Sequence, residues 1–294
     1  MKASILLAVK NEENTIGECI QSLVSQDYPH KDYEVVVVDD CSSDRTGEIL
    51  EGFKPQIKVF RNHEGMGRAY SRNLAVENAI GKIVCFIDGD AYAEEGWLTY
   101  LMEAYSGEKV DGRTYPTDIL GGVGGFIGAW NRENIYARYT EEGEFRLFRV
   151  QQGPKTMLSP VGFATCNCSY PRKLVLDAGG FDEGMRGGED LDLNLRIKEK
   201  EHVFLYVPEA RVYHMHPGSL RSLSRKWFEK GRYHAGITRR RPGWDCGFIR
   251  RILNPAGFTA STIKTPHYAP IDLVVRASFI AGLLFNKFES YLKR

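Results

Sequence analysis

Two aspartates separated by one glycine end an apolar run in the stretch CFIDGD, residues 85–90. In an extended segment, Asp88 and Asp90 point to the same side because they lie two positions apart. Their like charges repel unless a cation lies between them. The stretch therefore predicts a cation site at the end of a strand.

Two further polar clusters follow apolar runs nearer the start of the chain. VKNEEN occupies residues 9–14, and DDCSSD occupies residues 39–44. Serine and aspartate ahead of a helix also serve as caps, so either cluster by itself leaves structural and binding roles open. Three such clusters at the strand ends of one sheet predict a shared binding site.

The elements that position these clusters alternate between strand and helix. Apolar runs predict strands over 5–9, 33–40, 57–60 and 83–87, and helical spacing predicts helices over 14–26, 46–53 and 68–80. The continuous run YEVVVVDD is typical of a parallel strand that is covered on both faces. This alternation predicts βαβ units and a parallel sheet. Such sheets bind ligands beyond the carboxyl ends of their strands.

Length, charge and cysteine content limit the class of protein. A chain of 294 residues suits one large domain, or one domain with an appendage, and we place the boundary between regions 1–217 and 218–294. The net charge of +1 gives no overall attraction to nucleic acid, so no nucleic-acid partner is expected. The six cysteines are scattered and no signal peptide precedes them, which predicts reduced thiols and a cytoplasmic location.

Five segments resemble, in order and spacing, the motifs of family 2 glycosyltransferases. They are ILLAVKNEENTIGECIQSL, VVVVDDCSSDRTGEIL, GMGRAYSRNLAVENAIGKIVCFIDGD, CNCSYPRKLVLDAGGFDE and GGEDLDLNLRIKEK. The resemblance covers residues 3–235 and implies an α/β GT-A fold. That fold is a three-layer sandwich with a mostly parallel central sheet, here followed by a mainly helical C-terminal extension. The resemblance also implies an inverting hexosyltransferase that takes its sugar from a nucleotide-diphosphate donor.

The resemblance implies that the cation expected at Asp88 and Asp90 is a divalent metal ion. Asp88 and Asp90 match the family's Asp-X-Asp motif, whose carboxylates hold Mn²⁺ or Mg²⁺ against the donor diphosphate. In VYHMHPGSL, His214 and His216 stand where relatives carry a histidine. Either one offers a further metal ligand, with His214 slightly favoured, and contact with phosphate is the alternative role for both. A divalent cation there neutralises charge on the leaving nucleoside diphosphate.

The resemblance also indicates which residues bind the donor. They are Val9, Glu12, Asp39, Asp40, Arg68, Arg72 and Asp88. In this set, Asp39 and Asp40 match an acidic pair that contacts base and ribose, and Asp39 is favoured for the base. Arg68 and Arg72 lie four apart on one helix face, where guanidinium groups clamp phosphate. A surface ion pair is the alternative role for Arg72.

The segment Gly187-Gly188-Glu189-Asp190 resembles the family's Glu-Asp motif at a helix N-terminus. Inversion requires a base that deprotonates the acceptor, and the resemblance gives this role to Asp190. Glu189 then orients the acceptor or the loop. The alternative is that these residues are first-turn acids favoured by the helix dipole.

Two other functions and two acceptor types compete with this interpretation. A nucleotide-sugar-forming nucleotidyltransferase needs a GxGxRxxP-type signature near residue 10, where the chain has VKNEEN. A non-catalytic relative should lack one of the acidic motifs, and both are present. The QxxRW motif of processive synthases is absent, which predicts transfer of a single sugar. The donor is left open between UDP- and GDP-linked sugars. The accepting group is left open between a hydroxyl and a phosphate, and the acceptor between lipid-linked and soluble molecules.

The C-terminal region combines basic, aromatic and apolar segments. Basic and aromatic residues concentrate over 211–251, and an apolar segment follows over 269–285. On a helix, Leu273, Ile280 and Leu284 share one face, which is an amphipathic pattern. We expect this helix to lie in a membrane interface, which places the protein peripherally on the inner face of the cell membrane. The alternative is a helix packed on the protein's own core.

Overall fold

The computed structural model describes residues 2–106, 116, 118–144, 157–159, 162–241 and 265–292. Its strands are β1 (Ala3–Val9), β2 (Tyr33–Asp39), β3 (Lys58–Arg61), β4 (Ile83–Phe86), β5 (Ala91–Ala93), β6 (Leu120–Ala129), β7 (Met157–Ser159), β8 (Cys168–Pro171) and β9 (Val203–His214). Its α-helices are α1 (Ile16–Val24), α2 (Thr46–Gly52), α3 (Arg68–Asn78), α4 (Trp97–Ser106), α5 (Ile135–Tyr139), α6 (Arg172–Asp177), α7 (Glu189–Lys198), α8 (Leu220–Arg240) and α9 (Ala269–Leu292). Short 3₁₀ turns occupy His30–Asp32 and Pro266–Tyr268, and a π turn occupies Thr140–Glu144.

The strands form one sheet in the order β3-β2-β1-β4-β8-β6-β9-β5, with β7 beside β9. Strands β1, β2, β3, β4, β6 and β9 run in one direction, and β5, β7 and β8 oppose them. The prediction of an α/β class with a mostly parallel sheet is therefore confirmed. The predicted elements up to residue 87 differ from the observed bounds by at most two residues at either end.

Both faces of the sheet are covered, which explains the continuous apolar run in β2. Val35 and Val37 belong to a core that also contains buried residues of α1 and α4. Val36 and Val38 point to the opposite face, into a core with buried residues of α3, α6 and α7. Because successive strand residues alternate between faces, burial on both sides favours the unbroken apolar run over positions 35–38. The three layers of a GT-A sandwich follow from this pattern.

The described part of the chain divides into two compact units. The first takes the described residues within 1–130, 149–185 and 189–215, and therefore holds the sheet. The second takes those within 131–148, 186–188 and 216–294. This second unit has its own apolar core, formed by Tyr139, Leu223, Trp227, Tyr268, Ile271, Val275 and Phe279.

Helices α8 and α9 approach each other closely in the second unit through two glycines. A Cβ atom on Gly231 of α8 would lie 2.1 Å from the carbonyl oxygen of Phe279 in α9. A Cβ atom on Gly282 of α9 would lie 2.0 Å from the carbonyl oxygen of Phe228 in α8. Backbone atoms cannot yield as a flexible side chain does, so the pairing requires glycine at both positions.

Two identical substitutions on α8 are expected to change stability in opposite directions. Gly231→Ala places a methyl group against the backbone of α9 and should destabilise the helix pair by about 1–3 kcal/mol. Gly236→Ala has no atom within 4 Å of its new Cβ and should stabilise helix α8 by about 0.5–1 kcal/mol. Native-state hydrogen exchange of the α8 amides measures both changes. Equal effects of the two substitutions would contradict the close approach.

Helix α9 carries an exposed apolar stripe opposite its buried face. The stripe consists of Leu273, Ile280, Leu284 and Phe288, which are 62%, 36%, 61% and 60% exposed. Two charged residues of the same helix, Asp272 and Arg276, turn inward. Asp272 accepts a hydrogen bond of 2.7 Å from the hydroxyl of Tyr139 and one of 3.0 Å from Arg276. The helix thus packs within its own unit and also presents apolar surface.

By length and composition, Pro266–Asn286 is a helical stretch that is apolar enough to cross a membrane. A core helix of a soluble protein can share these properties. The basic and aromatic stretch predicted over 211–251 lies partly outside the described residues, from 242 onward. The exposed basic side chains that the structure describes on α8 include Arg221, Arg225, Arg239 and Arg240.

Candidate active site

The loops after β1 and β2 are held together by hydrogen bonds between their polar clusters. The backbone N–H of Asn11 donates to Ser42 Oγ at 3.0 Å, and that of Glu12 donates to Thr46 Oγ1 at 2.7 Å. Asn11 has a φ of 56°, a left-handed conformation that asparagine tolerates better than most residues. Much of the polarity in these clusters therefore fixes the two loops at the carboxyl edge of the sheet.

Three potential metal ligands meet at the same edge. Ligand atoms of Asp88, Asp90 and His214 lie within 4.8 Å of one another. The loop after β4 carries the two aspartates, and His214 is the last residue of β9. His214 Nε2 lies 3.5 Å from Asp88 Oδ2 and 3.1 Å from Asp90 Oδ1. The structure thus brings together two aspartates and a histidine that the sequence predicts as metal ligands.

The other nitrogen of His214 indicates which tautomer the ring adopts. Nδ1 lies 2.7 Å from the backbone carbonyl oxygen of Met215, and a carbonyl can only accept a hydrogen bond. Nδ1 therefore carries a proton. In the protonated ring Nε2 also donates toward the aspartates, and in the neutral ring Nε2 offers a lone pair to a metal ion. Two carboxylates and one imidazole nitrogen form a donor set that fits a divalent cation.

Glycine is required between the two aspartates by close packing. A Cβ atom on Gly89 would lie 2.7 Å from Cγ1 of Val9, the buried last residue of β1. Glu12 is close by, with its Cγ 3.4 Å from the same point. Burial, together with the negative charges of Asp90 and Asp88, raises the pKa of Glu12 to about 7. These contacts bring the loop after β1 against the Asp-X-Asp segment.

Arg72 joins the Asp-X-Asp segment to the start of α7. Its side chain is 4% exposed, and its guanidinium group donates to Glu189 Oε1 at 2.5 Å and to Asp88 Oδ1 at 3.1 Å. Burial by itself would raise the pKa of Asp88. The hydrogen bond from His214 and the charge of Arg72 outweigh burial and hold that pKa well below its usual range. Arg72 therefore forms a buried ion-pair network, which differs from the surface ion pair considered in the sequence.

Asp190 follows Glu189 in the first turn of α7 and is half-buried. Its Oδ1 accepts a hydrogen bond of 2.7 Å from the backbone N–H of Leu191. Burial, followed by the negative charge of Glu189, raises the pKa of Asp190 to about 6, while the charge of Arg72 opposes this shift. A carboxylate with a pKa just below neutral pH is suited to accept a proton.

Asp39 and Asp40 each accept hydrogen bonds within the protein, and Oδ2 of Asp39 is buried without a hydrogen-bond partner among the described residues. Asp39 Oδ1 accepts from the backbone N–H of Ser42 at 2.9 Å and from its hydroxyl at 2.5 Å. Asp40 Oδ1 accepts from Asn62 at 2.8 Å, and its Oδ2 accepts from the backbone of Gly67 at 3.1 Å. These bonds attach the loop before α3 to the end of β2. A base or ribose contact by this pair stays a prediction.

The remaining predicted site residues lie in different surroundings. Arg68 is the exposed first residue of α3, and its charge contributes to the lowered pKa of Asp88. His216 is buried, and its backbone N–H donates to Asn131 Oδ1 at 3.0 Å. His216 and Asn131 both belong to the second unit. The ligand role of His216 stays a prediction.

Cys166 is a site neighbour that the sequence interpretation did not identify. Burial, followed by the negative charge of Asp88, raises the pKa of its thiol, and Asp190 and Asp90 contribute. The three carboxylates that influence Cys166 are those of the predicted metal and base positions. The sequence offers no local signal for this proximity, because the residue follows a segment with no recognisable periodicity.

A large, mostly parallel sheet, with an Asp-X-Asp group that could hold a metal ion beyond its strand ends, defines a GT-A glycosyltransferase. The family model described as glycosyl transferase family 2 matches residues 4–173. This match spans more than half of the chain, and the protein belongs to that family. The resemblance seen in the sequence motifs is therefore confirmed.

Three curated relatives illustrate the similarity. Glycosyltransferase AglE of Haloferax volcanii is 27% identical, over 96% of this chain and 90% of its own length. Beta-monoglucosyldiacylglycerol synthase of Trichormus variabilis is 29% identical, over 66% of this chain and 40% of its own. Poly(ribitol-phosphate) beta-N-acetylglucosaminyltransferase TarS of Staphylococcus aureus is 42% identical, over 33% of this chain and 18% of its own. The chain thus spans less than half the length of the last two relatives.

Two solved structures share the fold. Mannosyltransferase PcManGT of Pyrobaculum calidifontis, in complex with GDP-Man and Mn²⁺, has a TM-score of 0.68 at 18% identity, covering 98% of this chain and 87% of its own. Residues 1–349 of TarS from S. aureus give a TM-score of 0.58 at 18% identity, covering 100% and 92%. At this level of identity, the likeness establishes the architecture.

Proposed function

We propose that the protein is a metal-dependent, inverting glycosyltransferase that moves one sugar from a nucleotide-diphosphate donor to a lipid-linked acceptor. The observation that carries the proposal is the Asp88, Asp90 and His214 group, joined through Arg72 to the helix that bears Asp190. A cation group and a half-buried carboxylate are the two parts that such a transfer requires.

Each part has a chemical task in the proposed reaction. Asp88, Asp90 and His214 would hold Mn²⁺ or Mg²⁺, which supplies a Lewis acid beside the donor diphosphate when bound. Asp190 takes the proton of the acceptor hydroxyl, which makes the acceptor oxygen a better nucleophile. Attack from the side opposite the nucleotide inverts the anomeric carbon. Arg72 holds Asp88 and Glu189 in place by its two hydrogen bonds.

The nucleotide-sugar donor is supported by ligands of the structural neighbours. PcManGT was solved with GDP-Man and Mn²⁺, and TarS 1–349 was solved with UDP and with UDP-GlcNAc. A thermal-shift screen of UDP- and GDP-linked sugars with Mn²⁺ tests this part, since a ligand that binds the folded state raises its melting temperature. No shift with any nucleotide sugar would contradict the proposal.

The lipid-linked acceptor is supported by the apolar stripe of α9 and by basic residues on α8. Lipid headgroups with negative charge attract each nearby Lys or Arg by about 1 kcal/mol, while exposed leucine and phenylalanine enter the interface. The synthase relative is named for a glucosyldiacylglycerol product, which is a membrane lipid. We propose a peripheral position of this protein on the inner face of the cell membrane.

Substitution of the stripe is expected to release the protein from anionic vesicles. The full chain should pellet with vesicles of anionic phospholipid, and less so at high salt because salt screens the basic residues. Leu273→Glu together with Leu284→Glu should lower the vesicle-bound fraction at least about tenfold, since acidic groups oppose entry into the interface. Co-sedimentation at low and high salt measures the effect.

A matched control separates the stripe from general surface polarity. Leu176 of α6 is 42% exposed and lies outside the stripe, so Leu176→Glu should leave vesicle binding unchanged. If the unsubstituted chain stays in the supernatant at low salt, the membrane position is wrong. The acceptor is then a soluble molecule, and donor binding at the strand ends is unaffected by that result.

A further inference from the structure

The two glycines before the proposed base form a loop with few constraints of its own. Gly187 and Gly188 lead directly into α7, which begins at Glu189. Gly188 has a φ of 77°, which favours glycine. Glycines fix their backbone less than other residues do, and ordering them costs the most conformational entropy. Something outside this loop must therefore hold it if Asp190 is to keep one position.

The ring of Tyr233 lies against this loop. A Cβ atom on Gly187 would be 2.2 Å from Cε2 and 2.4 Å from Cδ2 of Tyr233, so the ring covers the face of Gly187 that a side chain would occupy. Gly187 is buried and Tyr233 is half-buried. The ring therefore restricts the backbone of Gly187, which has no side chain of its own that could do so.

Helix α8 uses different faces for its two close contacts. Gly231 packs against α9, and Tyr233 packs against Gly187. Residues two positions apart on an α-helix point about 200° away from each other. Tyr233 therefore extends from the side of α8 that is nearly opposite α9, and α8 lies between α9 and the glycine loop within the second unit.

Asp190 is consequently held from two directions along the chain. After the loop, Glu189 is fixed by the buried guanidinium of Arg72. Before it, Gly187 is covered by Tyr233. We propose that Tyr233 is a positioning residue for the base: through its contact with Gly187 it fixes the start of α7. The inference rests on the proposed role of Asp190.

Removal of the ring is expected to lower turnover without weakening the donor complex. In Tyr233→Ala the loop gains freedom, and kcat should fall about tenfold to a hundredfold, as small misplacements of a catalytic group do. The donor dissociation constant should stay within about twofold, because the donor site lies at the strand ends. Tyr233→Phe keeps the ring and should retain the unsubstituted kcat. A large loss in Tyr233→Phe would overturn the packing role.

Phe228→Ala is the matched control on the same helix. Phe228 packs its ring on Phe285 of α9, with centroids 5.6 Å apart, so its removal loosens the helix pair and leaves the Tyr233 contact in place. Its kcat should stay within about twofold of the unsubstituted protein. If Phe228→Ala and Tyr233→Ala lose activity equally, general loosening explains both and the inference is wrong.

A double-mutant cycle tests the contact itself. Gly187→Ala places a methyl group inside the ring of Tyr233 and should lower kcat by displacing the loop. Once the ring is gone, the methyl group has room, so Gly187→Ala in the Tyr233→Ala background should cost nothing further. Such non-additivity is the signature of direct contact. Additive losses would overturn the proposal.

The outcome of Asp190→Asn separates this inference from the proposed function. If Asp190→Asn abolishes transfer and Tyr233→Ala retains full kcat, the positioning role falls and the base assignment stands. If Asp190→Asn keeps transfer, the base assignment falls first. The non-additive cycle between positions 187 and 233 would then still report the contact, but not its catalytic purpose.

Discussion

Asp90→Asn is expected to lower the turnover of sugar transfer by about a hundredfold or more, which equals about 2.7 kcal/mol of transition-state stabilisation. Asparagine keeps the size of the side chain and removes one of the two carboxylates that face His214. The site then holds a divalent cation less tightly, and less charge on the leaving diphosphate is neutralised. Initial rates at saturating donor and Mn²⁺ measure the loss.

Metal-dependent thermal stability gives a second measurement on the same variant. Mn²⁺ should raise the melting temperature of the unsubstituted protein, because it binds the folded state, and should not raise that of Asp90→Asn. Without metal, Asp90→Asn should be at least as stable as the unsubstituted protein, since a like charge near Asp88 and Glu12 is removed. The fold is thereby shown to be intact.

Asp177→Asn is the control for loss of a carboxylate elsewhere. Asp177 is half exposed on α6, where it pairs with Lys173, and its substitution should change neither turnover nor the Mn²⁺ effect. Full activity of the unsubstituted protein in excess EDTA would remove the metal role altogether. The negative charges of the Asp-X-Asp segment would then be balanced by another positive group. Among the described residues, Arg72 donates a hydrogen bond to Asp88.

The first ninety residues show how much of this fold is encoded locally. Strand β2 is predicted within one residue because burial on both faces leaves an apolar run that only a covered strand explains. Asp88 and Asp90 are predicted as a pair because they follow directly from the end of such a strand. The order of the later strands was not predicted, since β8, β6 and β9 pair across long sequence separations.

The connection made by Arg72 was also beyond the sequence. A position on α3 and its spacing from Arg68 indicate a phosphate clamp, which stays a prediction, and they give no sign that the guanidinium also bonds Glu189, which is 117 positions away. Helix periodicity shows which face a residue occupies and says nothing of the partner across that face. A buried arginine needs carboxylates, and the acidic segment around Glu189 was the place to look for them.

Helix α9 is a further element whose surroundings the sequence pattern does not specify. The shared face of Leu273, Ile280 and Leu284 was predicted and is observed, but that face is exposed while Asp272 and Arg276 turn toward Tyr139. An amphipathic pattern gives two faces without stating which one is buried. Only the tertiary contact with Tyr139 decides it.

Asp190→Asn is expected to lower transfer about a thousandfold or more, at the upper part of the range for loss of a general base. The amide cannot accept the acceptor proton, while its size and its place in the first turn of α7 are kept. Donor affinity should stay within a few-fold, because the base acts on the acceptor. Single-turnover rates and donor titrations under the same conditions separate the two quantities.

The pH dependence of kcat/KM should reveal the same group in the unsubstituted protein. The base must be deprotonated, and the pKa of Asp190 is raised to about 6 by burial and by Glu189. The rate should therefore fall about tenfold for each pH unit below 6 and level off above it. Glu189→Gln removes a negative charge beside Asp190, so the acidic limb should move to lower pH.

Glu189 is the residue that would have to replace Asp190 if this prediction fails. A variant Asp190→Asn that binds nucleotide poorly yet keeps measurable transfer would make Asp190 a donor-site residue. Glu189, however, is 4% exposed and bonded to Arg72 at 2.5 Å, so an acceptor hydroxyl reaches it only if that ion pair opens. Because opening a buried ion pair costs about 3–5 kcal/mol, a base at position 189 would be slow. The half-buried Asp190 carries no such penalty.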